Sequence, residues 1–211
     1  MMGLVAERSA ARGRGGERRR LRSDAAANQE RVLAAAVTAV LREGRQVPMA
    51  TIAADAGVGI GTLYRRYPSR EALLSALTLR AFRLVLACAE EAANRDEPAL
   101  AALSSFLDDV ISRRDDLVLP LHGGPVPVDP ETVATRSRVH QVLGRLLDRG
   151  RRDGSIRADA GTRDIIVLGA MLAQQLPNYP DWDHASQRLK AIFLDGLASR
   201  RAAALPAELP G

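Results

Sequence analysis

Between Asn28 and Glu43 the apolar residues Val32, Leu33, Ala36, Val37 and Val40 recur every three or four positions. That spacing puts them on one face and predicts an amphipathic helix. Gly44 supplies its C-terminal stop. Pro48 suits a first helical position, because its missing N–H would be unpaired there anyway. A short helix is expected over Pro48–Ala56, ending at Gly57, with the glycine-rich stretch Gly57–Gly61 as a turn. A second short helix is expected over Ile60–Tyr67. It must stop near Pro68, which disfavours helical geometry at the residue before it. Ser69 is a ready N-cap for the next helix. That helix carries Leu73, Leu74, Leu77, Phe82, Leu84 and Val85 and runs to about Asn94.

The helical period continues after Pro98 through Leu100, Leu103, Phe106, Leu107, Val110 and Ile111. Residues Asp115–Asp129 hold Pro120, Gly123, Gly124, Pro125 and Pro127, which predicts a loop with at most a turn of helix. A long helix is expected over Pro130–Arg152, with Val139, Val142, Leu143, Leu146 and Leu147 on one side and Gly154 at its end. Two more helices follow, Thr162–Leu176 (stopped by Pro177) and His184–Ser199. No internal repeat is visible.

Composition sharpens this to an all-α fold. The 211 residues include 36 Ala and 28 Leu, both strong helix formers, against 3% aromatics. One cysteine, Cys88, excludes an internal disulfide framework and a cysteine-based zinc site, and suits a reducing, cytoplasmic home. No unbroken run of ~18 apolar residues occurs, so no membrane span and no membrane partner are expected. The Arg-rich N-terminus is followed by no apolar stretch, so no secretory signal is expected there. Net charge is +5, but it is uneven: +7 through residue 80 and −2 from residue 81 onward. Of the 30 basic residues 29 are Arg, a ratio that genome composition explains; their placement points to an anionic partner for the N-terminal part.

Three short helices in the first 95 residues meet the needs of a helix-turn-helix: a first helix packed through small residues, a glycine-relieved turn, and a second helix presented to a groove. Ile52, Ala53 and Ala56 form the buried face of the first, Gly57 the turn, Val58 its plug, and Leu63 the anchor of the second. Ile60, Gly61, Thr62, Tyr64, Arg65 and Arg66 are then left outward. The Thr62 and Tyr64 hydroxyls suit phosphate oxygens. Arg65 or Arg66 suits a guanine edge, a pairing worth about 1–3 kcal/mol of discrimination. Arg70 opens the next helix, where cation and free N–H groups both favour an anion.

The run from Ile52 to Leu73, with Ala56, Gly57, Val58, Gly61, Thr62, Leu63, Tyr64 and Arg70 at fixed spacing, resembles the DNA-binding signature of the tetracycline-repressor-like (TetR) family. The likeness covers about residues 30–75. It departs at Arg66, where His or Tyr is usual, at Tyr67 for Phe and at Arg70 for Lys. By resemblance, Thr62, Tyr64, Arg66 and Arg70 match phosphate-contacting positions, and Ile60, Gly61 and Arg65 positions near base edges. The resemblance implies a homodimeric repressor. Its parts would be a basic flexible arm (1–27), a helix-turn-helix domain (28–75), a helical ligand-binding and dimerisation domain (76–199) and a frayed tail (200–211). Gly154–Asp159 is a common phrasing of the family, and the last two helices resemble the pair that forms its dimer interface. Ile166, Gly169, Ala170, Ala173, Leu189, Phe193 and Leu197 are the candidate interface residues.

Other features have plain readings. Gly57–Thr62 lacks the spacing and lysine of a phosphate loop. His122, His140 and His184 show no metal-ligand spacing, Asp108–Asp109 and Asp115–Asp116 read as solvated carboxylates, and Cys88 reads as packing. No nucleophile–base set is visible, so no catalytic residue, metal or cofactor is expected. Arg18, Arg19, Arg20 and Arg22 read either as a solvated tail or as an arm in the adjacent minor groove. Trp182 either lines a cavity or caps the core. Phe106, His122, His140, Met171, Gln175, Tyr179 and Trp182 are the candidate ligand residues. The function expected is a ligand-responsive regulator that binds a palindromic double-stranded operator and is released by a small molecule. A non-sequence-specific DNA-associated protein and a small helical enzyme are the alternatives.

Overall fold

The computed structural model describes residues 27–120, 125–126, 128–176, 179–198 and 204–206. They fall into two compact units that divide between Arg70 and Glu71. Among the described residues the regular structure is helical, apart from one isolated bridge between Ile156 and Ala198.

The first unit holds α1 (residues 27–43), α2 (Met49–Asp55) and α3 (Ile60–Arg66). Val32, Leu33, Ala36, Val37 and Val40 of α1 are all buried, as their spacing requires. Ion pairing of Arg42 with Asp55 at 3.0 Å ties α1 to α2. Pro48 is not the first helical residue. Its ψ of 140° is extended, so it sits at the cap and helix begins at Met49. Gly57 has φ +65°, a left-handed conformation that glycine adopts without the Cβ clash. That geometry lets Val58 N–H donate back to Ala53 O at 2.9 Å and closes α2.

The second unit holds α4 (Arg70–Asn94, starting at the division), α5 (Ala99–Ser112), a 3₁₀ turn (Arg114–Asp116), α6 (Pro130–Arg152), α7 (Thr162–Leu172) and α8 (Trp182–Leu197). α5 packs against α6, α7 and α8. Its Ala102, Leu103 and Leu107 are wholly buried, alongside Leu143 of α6 and Ile165 of α7. By length and composition α4 is apolar enough to cross a membrane, with mean hydropathy 1.7 over 18 residues, although Arg80 and Arg83 break its apolar run. Yet 56% of that window is buried inside the fold, as in a core helix. Cys88 lies in this core, where burial first of all pushes its thiol pKa up.

α7 ends four residues earlier than Pro177 dictates. Trp182 Nε1 donates to Leu172 O at 3.2 Å, and Gln174 N–H tightens back onto Met171 O at 3.2 Å. Both satisfy carbonyls left free at a helix end. Trp182 is therefore the first residue of α8, packed with Ile111 and Leu172, rather than part of the connection before it. The tail expected to fray is described at 204–206, where Leu205 N–H donates to Asp159 at 2.9 Å.

α6 shows how local sequence sets both ends of an element. Asp129 caps it, accepting from Thr132 N–H at 2.8 Å. At the other end Gly154 has φ +74°, and the chain folds back so that Ile156 N–H donates to Gly150 O at 3.0 Å. A Cβ at Gly150 would meet Ile156 Cδ1 at 2.4 Å and Ala99 Cβ at 3.0 Å. Ile156 is stiff at χ1 and buried, so it cannot swing away. Gly150→Ala is therefore expected to cost about 1–3 kcal/mol despite the better helix propensity of alanine, read as a lower urea midpoint.

Hydrogen bonding from Thr132, whose N–H donates to it at 2.8 Å, holds the Asp129 carboxyl pKa below its usual range. The folded value is depressed, so the stabilisation is present above the unfolded pKa and fades as pH falls through the folded one. Asp129→Ala is expected to cost about 1 kcal/mol at pH 7. Asp129→Asn is expected to keep the cap and flatten the acid limb of the stability–pH curve. Chemical denaturation between pH 2 and 7 reads both.

Candidate nucleic-acid interface

α3 is seven residues long, too short to persist alone in water. Leu63, 1% exposed, fixes it on the core of the first unit. Every other turn position is then directed outward. Ile60 (43%) and Tyr64 (48%) are exposed, as are Gly61, Thr62, Arg65 and Arg66. Gly61 has nothing within 4 Å of a built Cβ, so its bare backbone offers close approach to a partner. The six residues expected outward on α3 thus share one exposed surface.

Hydrogen bonds hold the long side chains of this surface. Arg65 donates to Thr62 Oγ1 at 3.0 Å, and Arg66 donates to Gln29 Oε1 of α1. Arg70 is half-buried and donates to Arg45 O at 3.2 Å and Gln46 Oε1 at 3.3 Å. It braces the α1–α2 connection as well as carrying charge. Exposed bonds of this kind are worth roughly 0.5–1.5 kcal/mol net, so exchanging them for phosphate contacts is inexpensive. Between α1 and α3 lies a groove lined by Asn28, Gln29, Thr62, Arg65, Arg66 and Tyr67. Asn28 and Gln29 were not singled out by sequence. Gln29 lies 37 residues from Arg66, and no local pattern joins them. Arg18, Arg19, Arg20 and Arg22 lie outside the described residues, as does His122.

The second unit holds a cavity of about 210 Å³ that opens to solvent beside Val126 and Arg136. Phe106 and His140 line it, as do Phe82, Val85, Val110, Val139 and Arg136, none of which was singled out as a ligand residue. His140 Nδ1 lies 2.9 Å from Thr162 Oγ1. Its pKa is lowered, by burial first and then by Arg136 and Arg163. Four expected ligand residues lie elsewhere. Met171 and Gln175 are exposed, and Tyr179 stacks edge-on against Trp182 at 5.9 Å, away from the cavity.

Several expected interface residues also face inward. Ile166, Gly169 and Ala170 line the cavity, and Ala173 and Leu197 belong to the core. The small residue Gly169 does permit close helix approach, but to α5 of the same chain: a Cβ there would lie 3.3 Å from Leu107 Cδ2. The outward apolar positions are Val167 and Met171 on α7 and Leu189 and Ile192 on α8, with Phe193 half-buried beside them. α7 is apolar nearly all round, through Ile165, Ile166, Val167 and Leu168, so periodicity alone could not tell its two faces apart.

Comparison with known proteins agrees with this geometry. Residues 32–77 match the bacterial regulatory proteins of the tetR family, and residues 97–199 match the C-terminal domain of SbtR-like transcriptional regulators. The chain is similar to a TetR transcription regulatory protein from Mycobacterium vanbaalenii, at 31% identity and TM-score 0.61, over 84% of this chain and 99% of that one. It is also similar to the TetR transcriptional regulator SCO0520 from Streptomyces coelicolor, at 30% identity and TM-score 0.51, over 80% and 97%. A tetR-family regulatory protein from Rhodococcus RHA1 shares the fold at 21% identity and TM-score 0.64, over 81% and 97%. A search of curated proteins finds no match. The motif, the exposed α3 and the matches across both units agree: the chain belongs to the tetR family of DNA-binding transcriptional regulators.

Proposed function

We propose that this regulator is a cytoplasmic, ligand-responsive repressor that binds a palindromic operator as a homodimer. The observation that carries the reading is the α3 surface, with Leu63 buried and Ile60, Thr62, Tyr64, Arg65 and Arg66 presented together. In a dimer the two copies of α3 enter successive major grooves roughly 34 Å apart. Thr62, Tyr64, Arg66 and Arg70 take phosphates, and Ile60, Gly61 and Arg65 read base edges. The arm arginines Arg18, Arg19, Arg20 and Arg22 precede α1 in the sequence and enter the neighbouring minor groove on this reading. The exposed apolar positions Val167, Met171, Leu189 and Ile192 support a second copy as the partner of α7 and α8. A small molecule in the cavity of the second unit releases the operator, and it does so only through unequal affinity for the bound and free forms.

Selection from a random duplex pool supplies the operator, and anisotropy titration over a salt series supplies the test. Tyr64→Phe and Arg66→Ala are expected to weaken binding on every sequence. Each lost phosphate contact lowers the log–log salt slope by about 0.9. Arg65→Ala is expected to cost about 1–3 kcal/mol and relax preference at one position. Equal affinity of the wild type for random duplex would instead identify a non-sequence-specific DNA-associated protein. For the dimer, Ile192→Glu places a charge on an apolar contact face. It is expected to shift sedimentation toward monomer and lower operator affinity; an unchanged dimer would move the interface elsewhere.

A further inference from the structure

We propose that the cavity of the second unit takes a small apolar carboxylic acid, its body against Phe106, Val110 and Val139 and its carboxylate at Arg136 beside His140. This rests on the reading of that cavity as the effector site. Size sets the first limit. A cavity of 150 Å³ binds benzene, and a water occupies about 30 Å³, so about 210 Å³ takes one ring and a short chain.

Chemistry sets the second limit. The lining is apolar except for Arg136 and His140. They stand one helical turn apart on α6, so they share a face. No carboxylate lines the cavity beside Arg136, whereas Arg83 nearby pairs with Glu131 and Arg138 with Glu90 at 2.6 Å. Arg136 makes no hydrogen bond or ion pair with a described residue. The charged groups acting on His140 are Arg136 from α6 and Arg163 from α7, both cationic. An apolar chamber whose rim carries an uncompensated guanidinium and no acid favours an anion. A carboxylate fits the guanidinium fork with two parallel bonds. One guanidinium over an otherwise apolar wall suits a single negative charge, not the three oxygens and higher charge of a phosphate ester.

The test uses the full chain and three probes: 3-phenylpropionate, its neutral amide and benzene. Calorimetry and thermal shift are expected to give the acid at least tenfold tighter binding than the amide. Arg136→Gln is expected to bring the acid down to the level of the amide, and Arg136→Lys to restore part of the difference. His140 supplies a readout that a merely structural role would not move. Burial and two cations hold its pKa low in the free protein, so a carboxylate bound alongside raises it, seen in the imidazole resonances, while the amide leaves it in place. Tighter acid binding that Arg136→Gln erases supports the proposal. Equal binding of acid and amide, or an Arg136→Gln variant that binds the acid as well as wild type, overturns the acid and leaves the cavity as effector site. Binding of none of the three probes overturns the effector reading of the cavity, and this inference with it.

Discussion

Burial of Leu63 is the contact on which DNA reading depends. A seven-residue helix gains too little from its own hydrogen bonds to survive in water. Burying one leucine contributes about 1.5–3 kcal/mol, which is the scale needed to hold such a helix against a core. The same contact fixes rotation about the helix axis. With Leu63 inward, the residues on either side of it must face out. The glycines serve the same end by different means. Gly57 supplies the backbone turn that brings α3 against its support, and Gly61 leaves its part of the α3 surface free of side-chain bulk.

Holding the helix is only half the requirement, because long arginines lose rotamer freedom when they bind. The surface reduces that loss in advance. Arg65 rests on Thr62, Arg66 on Gln29, and Arg70 on the α1–α2 connection. Such exposed bonds are individually weak, so they orient the side chains without competing seriously with a phosphate. Arg70 has the firmest intramolecular role of the three, since its partners include a backbone carbonyl. Its replacement by lysine would keep the charge and lose the forked geometry that reaches Arg45 O and Gln46 Oε1 together.

The second unit follows from α5, whose apolar residues face several helices at once. Its neighbours must therefore meet it closely, and Gly169 of α7 allows that beside Leu107. The same economy of side-chain volume leaves a void. Where Gly169 and Ala170 face Phe106 and Val110, the wall recedes and 210 Å³ stays open. Close packing of α7 on α5 and the cavity thus draw on one feature of the sequence.

The contrast between the two units shows what a sequence makes legible. In the first, function rests on local geometry: a turn glycine, a cap and residues within one turn of each other. The exposure of Ile60, Gly61, Thr62, Tyr64, Arg65 and Arg66 around a buried Leu63 was therefore readable from spacing. In the second, function rests on which side of a helix meets which neighbour across dozens of residues. α7 is apolar on nearly every side, so Val167 and Met171 outward and Ile166 and Gly169 inward look alike in sequence. Trp182 was ambiguous for a related reason. Its indole N–H needed a partner, and the partner, Leu172 O, became free only because α7 stopped before its proline. Arg136 was overlooked because an exposed arginine on a long helix has no sequence mark. Its distinction is its place in the lining of an otherwise mainly apolar cavity. The informative quantity there is which side chains line the cavity, and a lining exists only once the helices have been placed.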